Sequence, residues 1–81
     1  MEKQEILNNV IKIAREVFES SDIQLSEQTS PNDIMKWDSL NHAIFISKIE
    51  SHFQIKFDLM DMMNFESIGD ICEGVQQKLD A

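Results

Sequence analysis

Trp37-Asp38-Ser39-Leu40-Asn41-His42 marks the point where the chain turns from loop into helix, and its reading decides the fold. Asp38 and Ser39 are both good capping residues, so a helix is predicted over residues 39–53. Phe45, Ile46, Ile49 and Phe53 fall on one side of it and must face a core. Leu40 and Ile44 fall on another side with Ser47, Lys48 and Ser51. A helix of a small domain seldom buries both sides, so Leu40 and Ile44 make either a second packing contact or an exposed apolar strip.

Upstream, residues 20–37 read as a long loop rich in Ser, Asp, Asn, Gln and Thr, with Ile23, Leu25, Ile34, Met35 and Trp37 as apolar residues that pin it to the core. A loop of this length in a small domain points to function or local ordering. Ser30-Pro31-Asn32-Asp33 suits a short helical turn, with Ser30 as cap and Pro31 at the first position. Before the loop, residues 5–19 form an amphipathic helix: Ile6, Leu7, Val10, Ile11, Ile13, Ala14, Val17 and Phe18 fill an arc of roughly 160°. After residue 53, a short helix capped at or near Asp58 is predicted within residues 54–66. A last helix begins at Ser67, with Ile68, Ile71, Cys72, Val75 and Leu79 at helical spacing. Gly69 and Gly74 each weaken that helix by about 1 kcal/mol relative to Ala. The expected fold class is all-α, with three main helices, one short third helix and a long first loop.

Composition narrows the function. The 81 residues carry 15 acids against 7 Lys and Arg, a net charge of −8. Such a chain is one domain over residues 1–81, because two cores of half that size would be unstable. Its acidity disfavours nucleic acid and favours basic partners. Cys72 is the one cysteine, so no disulfide scaffold is possible, and its place on the core stripe reads as buried and inert. No apolar run is long enough to span a membrane, and the first residues do not read as a signal peptide. The expectation is a soluble, cytoplasmic monomer.

Ser39 is the one residue that suggests chemistry. A serine at a helix N-terminus, after a long loop and behind an acid, is well placed to carry a phosphate ester. Unpaired backbone N–H groups and the positive helix end stabilise the anion there. On the tripeptide Asp38-Ser39-Leu40 alone, a plain helix cap is the favoured reading.

The whole pattern resembles the acyl carrier protein family, with its peptidyl and aminoacyl carrier relatives. The likeness runs from the amphipathic first helix and the long loop through Asp38-Ser39-Leu40 to Phe53. It continues in Ile55-Lys56-Phe57, the short helix and Ser67-Ile68 with Ile71 and Val75. Trp37-Asp38-Ser39-Leu40-Asn41-His42 looks like the form found in stand-alone carriers of specialised pathways. The resemblance implies an acyl-carrier-protein-like four-helix bundle that is a carrier and not an enzyme. It implies 4′-phosphopantetheine esterified to Ser39, delivered from coenzyme A by a phosphopantetheinyl transferase. Asp38 would help to hold the magnesium ion used transiently in that loading, with no metal permanently bound, and Leu40 would touch partners. The partners would be the transferase, an acyl- or aminoacyl-loading enzyme and downstream pathway enzymes.

The sequence also departs from the family. Acids commonly expected on the second and third helices are replaced at Ile44, Ser51, Met60 and Met63, while Glu50 and Asp61 remain acidic. A partner-docking face of Ile44, Glu50, Met60, Asp61 and Met63 beside Leu40 is therefore expected, more apolar than usual, unless the Met residues fill the core. Carriers of long chains keep a cleft between these helices. Here bulky Phe45, Ile46, Ile49, Met62, Phe65 and Ile68 would fill it, which suits short, polar or aminoacyl cargo. His42 stands one turn after Ser39 and reads as a surface or packing residue. The alternative to a carrier is a small acidic helical interaction domain without a prosthetic group.

Overall fold

A computed structural model describes residues 2–19 and 24–80. Ile23, one of the expected loop anchors, lies outside them. The described residues form helices α1 (Lys3–Phe18), α2 (Ser39–Phe53), α3 (Leu59–Asn64) and α4 (Ile68–Asp80), with a 3-10 turn at Pro31–Asp33. The predicted order of elements holds. α1 begins two residues earlier than periodicity suggested and ends at Phe18, because Glu19 takes the left-handed conformation (φ 51°) and donates its N–H to the Arg15 carbonyl. α2 ends the same way at Gln54 (φ 56°).

Packing follows the apolar stripes. Ile6, Val10, Ile13, Ala14 and Phe18 of α1 are buried, as are Phe45, Ile46, Ile49 and Phe53 of α2 and Ile68, Ile71, Cys72 and Val75 of α4. α1 packs against both α2 and α4. Leu7, Ile11 and Val17, at the edges of the α1 arc, are only half-buried against this core. Burial pushes the Cys72 thiol up to about 12, so it stays protonated and unreactive in the folded chain.

The long loop is tied down by apolar anchors and by hydrogen bonds: Ile34 and Trp37 are buried and Leu25 packs against the core, whereas Met35, expected as a further anchor, is 99% exposed. Thr29 is buried, and its hydroxyl accepts the Ser26 N–H at 2.9 Å. The carbonyls of Thr29 and Glu27 accept the N–H groups of Ile68 and Gly69, at 2.9 and 2.8 Å. These donors open α4 and have no partner inside the helix. Ser67 completes the start of α4 by accepting the Asp70 N–H at 3.2 Å, and Asp70 in turn accepts that of Glu66 at 2.9 Å.

The two glycines, which local propensity counts against the helix, are required by packing. A Cβ on Gly69 would lie 3.0 Å from the Glu27 carbonyl oxygen, and one on Gly74 would lie 2.9 Å from Cζ of Phe65 and 3.2 Å from Cε1 of Phe57. Gly74 therefore admits the Phe57–Phe65 edge-to-face pair, whose centroids are 5.0 Å apart. Gly74→Ala should destabilise the fold by about 1–2 kcal/mol in urea unfolding, since overpacking outweighs the gain in helix propensity. An unchanged or raised urea midpoint would refute this account.

Candidate functional site

The site begins with Trp37, which is 5% exposed. Its indole stacks on Phe18 (5.1 Å, 25°) and meets Phe45 edge-on (5.6 Å, 88°). Phe18 and Phe45 are themselves T-shaped at 5.0 Å. The residue before Asp38 is thus anchored in the core, and Asp38 and Ser39 emerge from that anchor onto the surface. Both are exposed.

Asp38 is the cap that starts α2, its Oδ1 accepting the Asn41 N–H at 2.9 Å. The Asp38 carbonyl accepts the His42 N–H at 2.8 Å. Asn41 closes the junction from the other side, its side-chain amide donating to the Lys36 carbonyl at 2.7 Å. Lys36 itself pairs with Glu19 just beyond α1. Ser39 is therefore the first residue of a well-capped helix. Its hydroxyl sits beside first-turn N–H groups that have no intrahelical acceptor. This environment fits a phosphodiester: exposed oxygen, positive helix end, and free backbone donors.

Pro31, Trp37, Asp38, Ser39, His42 and Phe65 line an open depression of about 470 Å³ beside that hydroxyl. His42 forms part of its wall. The Trp37 indole N–H donates to His42 Nδ1 at 2.9 Å, and the two rings stack at 6.1 Å and 20°. His42 is thus a packing residue, but with a defined hydrogen-bond partner that sequence reading missed. The legible signal was a Trp and a His flanking the cap, brought together by the first turn of α2.

The proposed docking residues separate into two groups. Leu40 (71%), Ile44 (40%), Met60 (69%) and Met63 (72%) are exposed, so Met60 and Met63 do not fill the core. Met62 alone of these three methionines packs against it. Glu50 and Asp61, half-buried, also have internal hydrogen bonds. Glu50 accepts the Phe57 N–H at 2.8 Å, and Asp61 accepts the Asp58 N–H at 3.1 Å and pairs with Lys78 at 3.4 Å. Of the expected cleft residues, Phe45, Ile46, Ile49 and Ile68 are at most 2% exposed.

The profile of the phosphopantetheine attachment site family matches residues 8–75. The chain belongs to this family. An acyl carrier protein of Thermotoga maritima is 29% identical over 77 residues, 95% of each chain. The solution structure of holo acyl carrier protein from Geobacter metallireducens is 39% identical. It superposes with a TM-score of 0.84 over 91% of this chain and 85% of that one. A putative acyl carrier protein from Mycobacterium tuberculosis, at 19% identity, shares the fold, with a TM-score of 0.80 over 89% of this chain and 96% of its own. The acyl carrier protein fold is therefore that of this chain, and membership makes it a carrier that works through covalent 4′-phosphopantetheine, not an enzyme. It meets a transferase and pathway enzymes. These findings set aside the interaction domain without a prosthetic group. No helix among the described residues is long and apolar enough to cross a membrane.

Burial pulls the His42 pKa below its ordinary value of 6.5, and contact with the Met62 backbone opposes this in smaller measure. The folded chain thus holds His42 neutral at a pH where the unfolded chain binds a proton. Its contribution to stability is full above the unfolded pKa and is lost as pH falls through the folded one. Melting of wild type and His42→Gln from about pH 7.5 to about pH 5 should show wild type losing ground to the variant as pH falls. A difference independent of pH would contradict a neutral, packed His42.

Proposed function

We propose that residues 1–81 act as a single carrier domain that bears 4′-phosphopantetheine on Ser39 and presents thioesters in a specialised biosynthetic pathway, of polyketide, nonribosomal peptide or surface-polymer type, with fatty acid synthesis as the alternative. The observation that carries the attachment site is the exposed Ser39 hydroxyl at the capped start of α2, one residue beyond the Trp37 anchor and its Asp38 cap. The prosthetic arm supplies a mobile thiol that Cys72, buried on α4, does not. Asp38, exposed beside Ser39, would share in holding magnesium while the transferase works; its other oxygen, Oδ2, is not the one that caps α2.

The specialised pathway is supported by the exposed strips Leu40–Ile44 on α2 and Met60–Met63 on α3. Exposed apolar residues of this kind mark interaction surfaces, and Met adapts to different partners. Glu50 and Asp61 are better read as structural acids than as docking charges. Closely packed Phe45, Ile46, Ile49 and Ile68 support short, polar or aminoacyl cargo over a long chain held inside.

Incubation with coenzyme A, magnesium and a broad-specificity transferase, followed by intact-mass measurement, should add one phosphopantetheine to the wild type and none to Ser39→Ala. Modification of the variant would place the attachment elsewhere. Ile44→Glu should leave folding and transferase modification intact and lower turnover by the loading enzyme roughly tenfold or more, as loss of a central apolar contact does. Unchanged turnover would remove Ile44 from the docking face.

A further inference from the structure

Asn41 grips the chain on both sides of Trp37. Its backbone N–H donates to Asp38 Oδ1 at 2.9 Å, and its side-chain amide donates to the Lys36 carbonyl at 2.7 Å. A carbonyl only accepts, so the amide turns its NH2 group to it, and a carboxylate in its place could not make the bond. This second bond spans five residues where the Asp38 cap spans three. It closes a ring over residues 36–41 with Ser39 inside. The Lys36–Trp37 peptide is thereby held on both sides. Its N–H, that of Trp37, donates to the Ile34 carbonyl at 3.1 Å, and its C=O, that of Lys36, accepts from Asn41.

The buried Trp37 ring fixes where the chain leaves the core, but not the direction it takes from there. Between that ring and Ser39 lies Asp38 in an extended conformation (φ −99°, ψ −176°), about whose bonds the start of α2 could swing. The Asp38 cap travels with α2 and does not resist such a swing. Two side-chain bonds from the first turn of α2 do resist it. His42 Nδ1 accepts the Trp37 indole N–H at 2.9 Å, and Asn41 holds the Lys36 carbonyl. The second acts on the main chain itself.

We propose that Asn41 is a positioning residue for the modification of Ser39: its side-chain amide fixes the start of α2 against the main chain before Trp37, and so sets the direction in which the Ser39 hydroxyl and the Asp38 carboxylate face an enzyme. In that transfer the Ser39 oxygen bonds to the β-phosphorus of coenzyme A. Adenosine 3′,5′-bisphosphate leaves with the electron pair of the broken P–O bond, and the hydroxyl proton passes to solvent. A reacting hydroxyl held in one orientation gains much of its rate from that hold, and a small displacement forfeits it. The reaction part of this inference rests on Ser39 as the attachment point; the fold part does not.

Two measurements on the full chain test it: amide hydrogen exchange, and modification by a transferase with coenzyme A and magnesium. Asn41→Asp keeps the shape and the backbone N–H but loses the donor, and its charge in the first turn favours the helix. Asn41→Ala loses shape and donor together. Both variants should speed exchange of the Trp37 and His42 backbone N–H groups about three- to tenfold, while α1 and α4 change less than about twofold. The transferase kcat should fall about tenfold in both, and the KM for Asn41→Ala should stay within about twofold, the signature of a misplaced reacting group rather than of lost docking. Wild-type exchange rates in Asn41→Asp would overturn the proposal, as would acceleration shared equally by all helices. So would a defect confined to Asn41→Ala, which would make the side chain a spacer and not a donor. Faster exchange with an unchanged kcat would overturn the reaction part. Exchange needs no prosthetic group, so a wild type that resists modification would refute the attachment reading and leave the hold of Asn41 on Lys36 decided by exchange alone.

Discussion

The burial of Trp37 between Phe18 and Phe45 is the constraint on which the rest of this chain depends. It brings together the end of α1, the end of the long loop and the middle of α2. Deleting a buried Trp of this kind costs about 3–5 kcal/mol, a large share of what a small domain has. The consequence for function is local. A loop of this length would leave its last residues free to wander, yet Asp38 and Ser39 follow directly on a residue locked in the core. The hydroxyl is accessible to an enzyme and fixed in place, because exposure begins one residue after burial ends.

A second constraint is the satisfaction of helix ends. Short helices have many orphan backbone groups for each residue they contain. Here the loop carbonyls of Glu27 and Thr29 take the first donors of α4, and Asp38 takes a donor of α2. The loop is thus a structural member as well as a connection. Gly69 and Gly74 belong to the same economy: their missing side chains let a loop carbonyl and two aromatic rings come close to α4.

Much of this was legible in the sequence. The stripes Ile6–Val10–Ile13–Phe18 and Ile68–Ile71–Val75 declared their helices by period alone, and Ser30, Asp58 and Ser67 marked starts that the structure uses. Phe45, Ile46 and Ile49 declared the buried face of α2, and the strip of Leu40 and Ile44 is exposed as one of its two readings allowed. What escaped were contacts between segments distant in sequence. The Gly69 N–H to Glu27, the Trp37–His42 pair bridging a loop and a helix, and the Glu50 carboxylate reaching Phe57 depend on how elements meet, which local patterns do not encode. The glycines were read as defects for the same reason.

The placement of acids follows from this. Asp33, Asp38, Glu50, Asp61 and Asp70 each accept a backbone N–H. A sizeable part of the charge of −8 is therefore spent on starting short helices and holding turns. An acid committed to a cap cannot change with the partner without weakening a helix, by about 1 kcal/mol for a typical cap. Leu40, Ile44, Met60 and Met63 cap nothing and are largely exposed, so a change at any of them leaves the helix starts intact. The division separates two uses of the surface: carboxylates that hold turns and helix starts, Asp38 beside Ser39 among them, and exposed apolar side chains that the proposed docking reading assigns to partners.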